Sequence, residues 1–540
     1  MSPTSGTADT AGSRETALPT VAMRRPRWGD PNDPGHLPDA ARLLATRDEP
    51  DPGVDPTGVE VSPSTIPAAV RAVIENVVGA ENLTVAAAER VQHTRGFSTP
   101  DLLRLRAGDV TDAPDAVVFP GSHDEVAVVL ALCAEHRIAL VPFTGGTSVV
   151  GGLAPDRRGF AGVLCLDLRR MNRLIELDEV SRTATLEAGM RATEAESALA
   201  ARGFTLGHFP QSYAGAGIGG YAATRSAGQS SAGYGRFDEM VEGLTLATPR
   251  GTLTLGTAPK SAAGPDLRQL VLGSEGTLGV ITAVRVRVHP VPTARLFTGW
   301  RFESFDAGAH ALRRLAQDGP LPTVLRLSDE TETALNLADP GKLGGDASGC
   351  LAITGFEGND ADVRWRHDAA AAVLTDCGAT PLGPEPGEAW RTGRFRGPYL
   401  RDPLLDAGVL VETLETVTFW SGLAELRTTV TAALTDTLTA SGTPPLVMCH
   451  ISHVYHSGAS LYFTVAAPFG DDPLADWAAA KSAANSAIRA AGASITHHHA
   501  VGRDHRDAYH DEIGAVGVEI INAVKRAVDP DGICNPGILI

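Results

Sequence analysis

Three glycine-rich stretches gather the residues best able to hold an anion. In the first, Pro142, Phe143, Thr144, Gly145, Gly146, Thr147 and Ser148 close an apolar run that begins at Ile138. Glycine lets a backbone approach a ligand closely, and successive free N–H groups make a concave donor set for phosphate. The second stretch is Gln211, Ser212, Tyr213, Ala214, Gly215, Ala216 and Gly217, followed after one further glycine pair by Thr224, Arg225, Ser226 and Ala227. The third passes from Gly273 through Glu275, Gly276, Thr277, Leu278 and Gly279 into Val280 and Ile281. No Gly-Lys-Ser/Thr follows the first stretch, so it is not a nucleotide-triphosphate P-loop. Gly215, Gly217 and Gly220 satisfy GxGxxG in letters, but residues 208–213 make no buried strand before them. Without a compact βαβ unit around it, that match does not support a Rossmann dinucleotide site.

His497, His498 and His499 are the densest group of metal-capable side chains. Read as a strand, they alternate faces, so only His497 and His499 share a side, and a metal would need a third ligand from elsewhere. A metal is the lesser reading for them on residue types alone; beside the glycine-rich stretches, phosphate contact and proton transfer overtake it, and no metal is expected. His505 and His510 read as surface groups. The cysteines Cys133, Cys165, Cys350, Cys377, Cys449 and Cys534 are scattered, form no CxxC pair, and suit a reduced cytosol better than a disulfide framework.

The bulk properties narrow the field. A formal charge of -18, from 46 basic against 64 acidic side chains, repels a nucleic-acid backbone while leaving room for a local pocket for one small anion. Apolar residues make up 43% of the chain, enough for a large core. Residues 1–20 are rich in Ser, Thr, Ala and Gly, without a basic start or apolar centre, and read as a loose tail. The longest apolar stretch, 126–134, is half a membrane span.

The elements that must position these residues follow from periodicity. Ile66, Val70, Val73, Ile74, Val77 and Val78 fall on one helical face, ended by Gly79. Ser122 and Glu125 have capping-box spacing at the start of a helix that runs to about His136. Strands are expected at 138–143, 162–168, 183–188 and 280–288, with helices at 194–202 and 360–376. Beyond about residue 290, Ala-rich helices alternate with apolar strands at 351–356, 445–452 and 460–466. The reading is mixed α+β in at least two lobes.

The three stretches, in this order and with Gly151 and Gly152, resemble the FAD domain of the vanillyl-alcohol-oxidase/p-cresol-methylhydroxylase flavoproteins. The resemblance implies an α+β fold, two subdomains enclosing an extended FAD, with the pyrophosphate on residues 142–148, and an α+β substrate-binding cap. It implies a loose tail at 1–20, a helical N-terminal segment at 21–105, the FAD-binding domain at 106–290, the cap at 291–490, and a segment at 491–540 returning to the FAD domain. No histidine lies in the first loop, so the FAD is expected to be noncovalent. Thr144 departs from the family's usual glycine and would crowd or hydrogen-bond the pyrophosphate.

Over residues 24–540 the chain is most similar to the ether-lipid-forming branch of that family. Short matches in order carry this: Trp28-Gly29-Asp30, Gly207-His208, Gly264-Pro265-Asp266, Leu325-Arg326-Leu327, Leu400-Arg401-Asp402, Leu461-Tyr462-Phe463 and the triple histidine. The branch implies exchange of the acyl group of acyl-dihydroxyacetone phosphate for a fatty alcohol, with no net redox and the intermediate held at flavin N5. By resemblance Tyr462 is the base, its pKa lowered by cationic neighbours, and Arg401 grips the substrate. Arg326, His208, His497, His498 and His499 would line the same pocket, while Thr413 stands where the branch has serine. Lipid-like substrates, peripheral membrane contact and a homodimer are implied in the same way. The competing reading is an FAD-dependent 2-hydroxyacid dehydrogenase or oxidase, whose C-terminal pattern residues 529–537 resemble.

Overall fold

The computed structural model describes residues 20, 25–29, 37, 42, 44–337 and 349–540. Nearly all of the loose tail at 1–20, and Asp30 of the Trp28-Gly29-Asp30 match, lie outside the described residues.

Among the described residues three sheets of four or more strands organise the chain. The first takes Leu83–Thr84, Ala116–Val118, Gly162–Asp167 and Ile138–Phe143 in that spatial order, its last three strands parallel. Ile138–Phe143 is apolar throughout and buried, as a parallel strand covered on both faces must be. The helix His123–Glu135 delivers the chain to it, and the Ser122 hydroxyl accepts from the Glu125 N–H at 3.2 Å to start that helix. The second sheet is antiparallel, in the order Leu174–Asp178, Thr183–Glu187, Val280–Arg287, Val241–Thr248 and Gly251–Leu255. One continuous apolar core joins these two sheets, from Ile66 through Leu140, Leu186 and Val284 to Cys534.

The third sheet has seven strands, in the order Thr380–Gly383, Ala294–Phe302, Cys350–Gly358, Val324–Ser328, Leu446–Ile451, Gly458–Pro468 and Val409–Phe419. Leu423–Ala440 and Pro473–Ala490 pack on one face through Leu426, Val430, Leu434, Trp477 and Ile488. That leaves the polar face of the last three strands to build a site. The chain then returns to the first sheet: Leu140 bridges Cys534, and Asn535 donates through Nδ2 to the carbonyls of Gly152 and Glu275, at 3.0 and 2.7 Å.

Candidate active site

The site begins with strand register. Tyr462, on Gly458–Pro468, lies directly opposite His450 of one neighbouring strand and Glu415 of the other. Residues abreast in adjacent strands share a face, so His450, Tyr462 and Glu415 stand in a row. The His450 ring stacks on Tyr462 with centroids 4.8 Å apart and planes 14° from parallel. Thr413, two residues before Glu415, is on the same face, and its hydroxyl acts to lower the Tyr462 pKa.

Glu415 is fully buried and gathers four donors. The Thr496 hydroxyl and the His498 and His499 N–H groups donate to Oε1 at 2.6, 3.0 and 2.8 Å, and the His497 N–H donates to Oε2 at 2.6 Å. One carboxylate receiving three consecutive backbone N–H groups bends residues 497–499 into a turn. The alternating strand expected there is therefore corrected: all three rings gather over one face. His498 stacks on Tyr462 at 6.1 Å, and His499 meets it edge-on at 5.4 Å. Burial acts to raise the Glu415 pKa, but the facing imidazoles of His498, His499 and His497 and the Thr496 hydroxyl hold it well below the usual carboxylate range.

Two residues that sequence reasoning missed complete the cluster. His453 is buried, bonds Ser231 Oγ through Nδ1 at 2.6 Å, and stacks on His497 at 4.7 Å. Tyr455 bonds His497 Nε2 at 2.6 Å and is itself bonded by Arg236. The signal available for Glu415 was an acid in the middle of a Val-, Leu- and Thr-rich strand, where a buried charge survives only with partners. No comparable pattern marked His453 or Tyr455.

The electrostatics differ from expectation. Desolvation pushes the Tyr462 phenol up to about 12, Glu412 and Glu415 add to the rise, and the Thr413 hydrogen bond and Arg401 only partly oppose it. Arg401 is the one cation that acts on it, and it does not offset burial, because the histidines around the phenol are neutral: burial depresses His453 and His497 well below their usual value, lowers His498 and His450, and takes His499 to about 3.

The remaining sequence-predicted residues separate into several groups. Arg326 reaches the cluster but is engaged: its guanidinium pairs with Glu332, and one nitrogen lies 2.9 Å from His450 Nδ1. Arg401 donates to the Phe97 carbonyl, faces Glu412, and keeps a buried Nε with no partner among the described residues. His208 packs between Tyr221 and Phe237, with Nε2 on Ser226 Oγ at 3.0 Å, and burial takes it to about 3. His505, read as a surface group, is instead buried, with Nδ1 on the Ala500 carbonyl at 3.0 Å.

The glycine loops form a cradle. Among the described residues, no backbone N–H of 144–148 donates to a protein acceptor, so five amides remain available to an anion. Arg25 ties the loop from behind, donating to the Gly146 carbonyl at 3.0 Å. A Cβ on Gly145 would fall 2.1 Å from the Gly215 carbonyl oxygen, so the first two loops pack backbone to backbone. Thr144 turns aside: a Cβ on Gly217 would meet its side chain at 2.9 Å, which places it against the second loop. A set of loop amides without protein acceptors among the described residues fits a flavin dinucleotide's pyrophosphate.

Several other predicted cofactor residues use their side chains internally. Arg225 donates to the Leu272 and Gln269 carbonyls and pairs with Asp238, and Thr224 bonds the Gly220 carbonyl. Thr277 bonds the Ser274 carbonyl, while Tyr213 stacks on Phe395. Glu275 accepts from the Val501 and Gly502 N–H groups, at 3.1 and 2.9 Å, and so clamps the returning C-terminal segment. Leu278, Val280 and Ile281 belong to the apolar core.

Comparison with known proteins agrees with this layout. Residues 114–256 match the FAD binding domain and residues 291–539 the C-terminal domain of FAD linked oxidases. Fold and cradle thus define an FAD-dependent flavoprotein. The chain is 33% identical to alkyldihydroxyacetonephosphate synthase of Dictyostelium discoideum, over 84% of this chain and 77% of the relative. For the enzyme of that name from Trypanosoma brucei brucei the figures are 30%, 86% and 80%. The chain belongs to the alkyldihydroxyacetonephosphate synthase family. A solved structure of alkyldihydroxyacetonephosphate synthase superposes with a TM-score of 0.83 at 28% identity, covering 96% of this chain and 98% of that one. p-Cresol methylhydroxylase, at 18% identity and a TM-score of 0.66, shares the fold.

Proposed function

We propose that the protein is a flavin-dependent alkyl transferase that exchanges the acyl group of acyl-dihydroxyacetone phosphate for a fatty alcohol, forming an ether-lipid precursor. The observation that carries this reading is the row of His450, Tyr462 and Glu415 on one sheet face, with the neutral imidazoles of His498 and His499 folded over the phenol. The loop amides of 144–148 would hold the FAD pyrophosphate, and the bound flavin would supply an electrophilic centre that needs no external oxidant.

The protein's own groups manage protons and charge. Tyr462 is a neutral phenol at rest and must give up its proton before it can take one from the carbon beside the ketone. His450 and His499, neutral and in ring contact with it, are the acceptors at hand. Arg401, with a spare buried Nε, is placed to meet the phosphate, and a guanidinium fork suits that geometry. Arg326, neutralised by Glu332, orients His450 instead. Thr413 would steady the phenol through its hydroxyl, which acts to lower the Tyr462 pKa. Both substrates carry long apolar chains, which calls for peripheral contact with a membrane; among the described residues no helix is long and apolar enough to cross one.

The test is an oxygen-free flavin spectrum. Bleaching by palmitoyl-dihydroxyacetone phosphate, then recovery with ether product on adding hexadecanol, is the expected result. Bleaching by D-lactate or another 2-hydroxyacid, with a keto acid formed in equal amount, would replace this reading with a dehydrogenase.

A further inference from the structure

We propose that His453, His497 and His498 form a binding site for one borderline divalent metal ion of the zinc class beside Tyr462. Each offers a ligand atom, and the three atoms lie within 4.8 Å of one another. The sequence alone left two histidines short of a third ligand; the fold supplies it from the segment between Leu446–Ile451 and Gly458–Pro468. His453 stacks on His497, and His498 stands across both rings at 5.1 Å.

The hydrogen bonds select the ligand atoms. His453 Nδ1 is taken by Ser231 and His497 Nε2 by Tyr455, each at 2.6 Å. That leaves His453 Nε2, which has no hydrogen-bond partner among the described residues, and His497 Nδ1, which lies 2.9 Å from Nδ1 of His498. Holding one imidazole nitrogen so that the other meets a metal is how proteins fix the tautomer and aim of a ligating histidine. Coordination through Nδ1 places the His497 proton on Nε2, where the Tyr455 hydroxyl accepts it.

The surroundings support the same ion. Zinc–nitrogen bonds of about 2.0–2.1 Å set tetrahedral ligand nitrogens roughly 3.3 Å apart, so the His497–His498 pair opens by a few tenths of an ångström and His453 closes in. An all-imidazole donor set favours Zn²⁺, Co²⁺ or Ni²⁺ over Mg²⁺ or Ca²⁺, which prefer oxygen. Glu415 lies 3.5 Å from His498 Nδ1 and supplies negative charge while holding the turn. His498 is only partly buried whereas His453 and His497 are closed off, so the ion enters from the His498 side. Three protein ligands leave a fourth position for water or an anionic oxygen.

The experiment loads the FAD-bound full chain with Zn²⁺ by equilibrium dialysis and measures retained metal by elemental analysis. One ion per chain is expected, and His453→Gln and His498→Gln should each weaken retention at least about tenfold at unchanged flavin content. Failure to retain zinc, or equal retention in both variants, overturns the site. If either variant loses flavin or fails to fold, the unmodified protein loaded with Co²⁺ decides. Intense visible bands of tetrahedral cobalt support the assignment; weak octahedral bands refute it. Neither readout depends on the alkyl-transfer reaction.

Discussion

Replacing Glu415 by Gln tests whether one carboxylate sets the geometry of three histidines. The side chain keeps its shape, and if its carbonyl takes the Oε1 place it still accepts from Thr496, His498 and His499. Its amide then faces the His497 N–H, which loses its 2.6 Å acceptor and meets a donor instead. A buried donor left unpaired costs about 1–3 kcal/mol, and the three bonds that survive weaken from charge-assisted to neutral. We expect stability to fall by about 2–4 kcal/mol on that count. If about 2 kcal/mol of positioning is lost in the transition state, kcat for ether formation falls about 30-fold. KM for the acyl substrate and flavin content should stay near native values, because Glu415 touches neither the glycine loops nor Arg401. The assay is steady-state product formation from labelled hexadecanol, with flavin absorbance and a urea melt alongside. A kcat within about twofold of native despite the lowered melt would refute the argument. Glu415 would then stabilise the fold without orienting the site.

Three further outcomes follow from the same geometry. Tyr462→Phe should reduce ether formation by about 10²–10⁴-fold with full flavin occupancy; parallel loss of flavin absorbance would reassign the phenol to structure. Gly145→Ala drives a methyl to 2.1 Å from the Gly215 carbonyl oxygen, so the loops must part, and bound flavin in the purified protein should fall at least about tenfold. Burial raises Glu275 from 4.5 to about 7, so the native state keeps its proton longer than the unfolded chain does. Its contribution to stability is therefore greatest below pH 4.5 and is lost as pH rises to about 7, by about 3 kcal/mol. Denaturant melts across that range should show a shallower decline in Glu275→Gln, and identical slopes would exclude the effect.

Local pattern made much of the frame legible. The strand at 138–143 emerged because an unbroken apolar run lay between a capped helix and a glycine loop, and the helix at 360–376 because its length and composition left no competing period. The glycine stretches likewise announced a phosphate cradle. What stayed hidden was set by contacts between distant residues. No local preference bends 497–499; Glu415, more than eighty residues earlier, does so by gathering their N–H groups. The same distance hid His453 and Tyr455, which matter through partners elsewhere in the chain. The charge state of Tyr462 was misjudged because histidines counted as cations in sequence are neutral once buried.

The return of the chain to its first sheet has a consequence for the order of assembly. Leu140 N–H donates to the Ile533 carbonyl, and Asn535, 383 residues after Gly152, donates to the Gly152 carbonyl just beyond the anion loop. During synthesis the glycine loop therefore leaves the ribosome long before the residues that brace it. Flavin capture at full affinity becomes a post-synthetic event, and a chain stalled before Ile533 would expose an open, unbraced cradle. Cofactor loading would thus report that the chain has been made through Asn535 and folded.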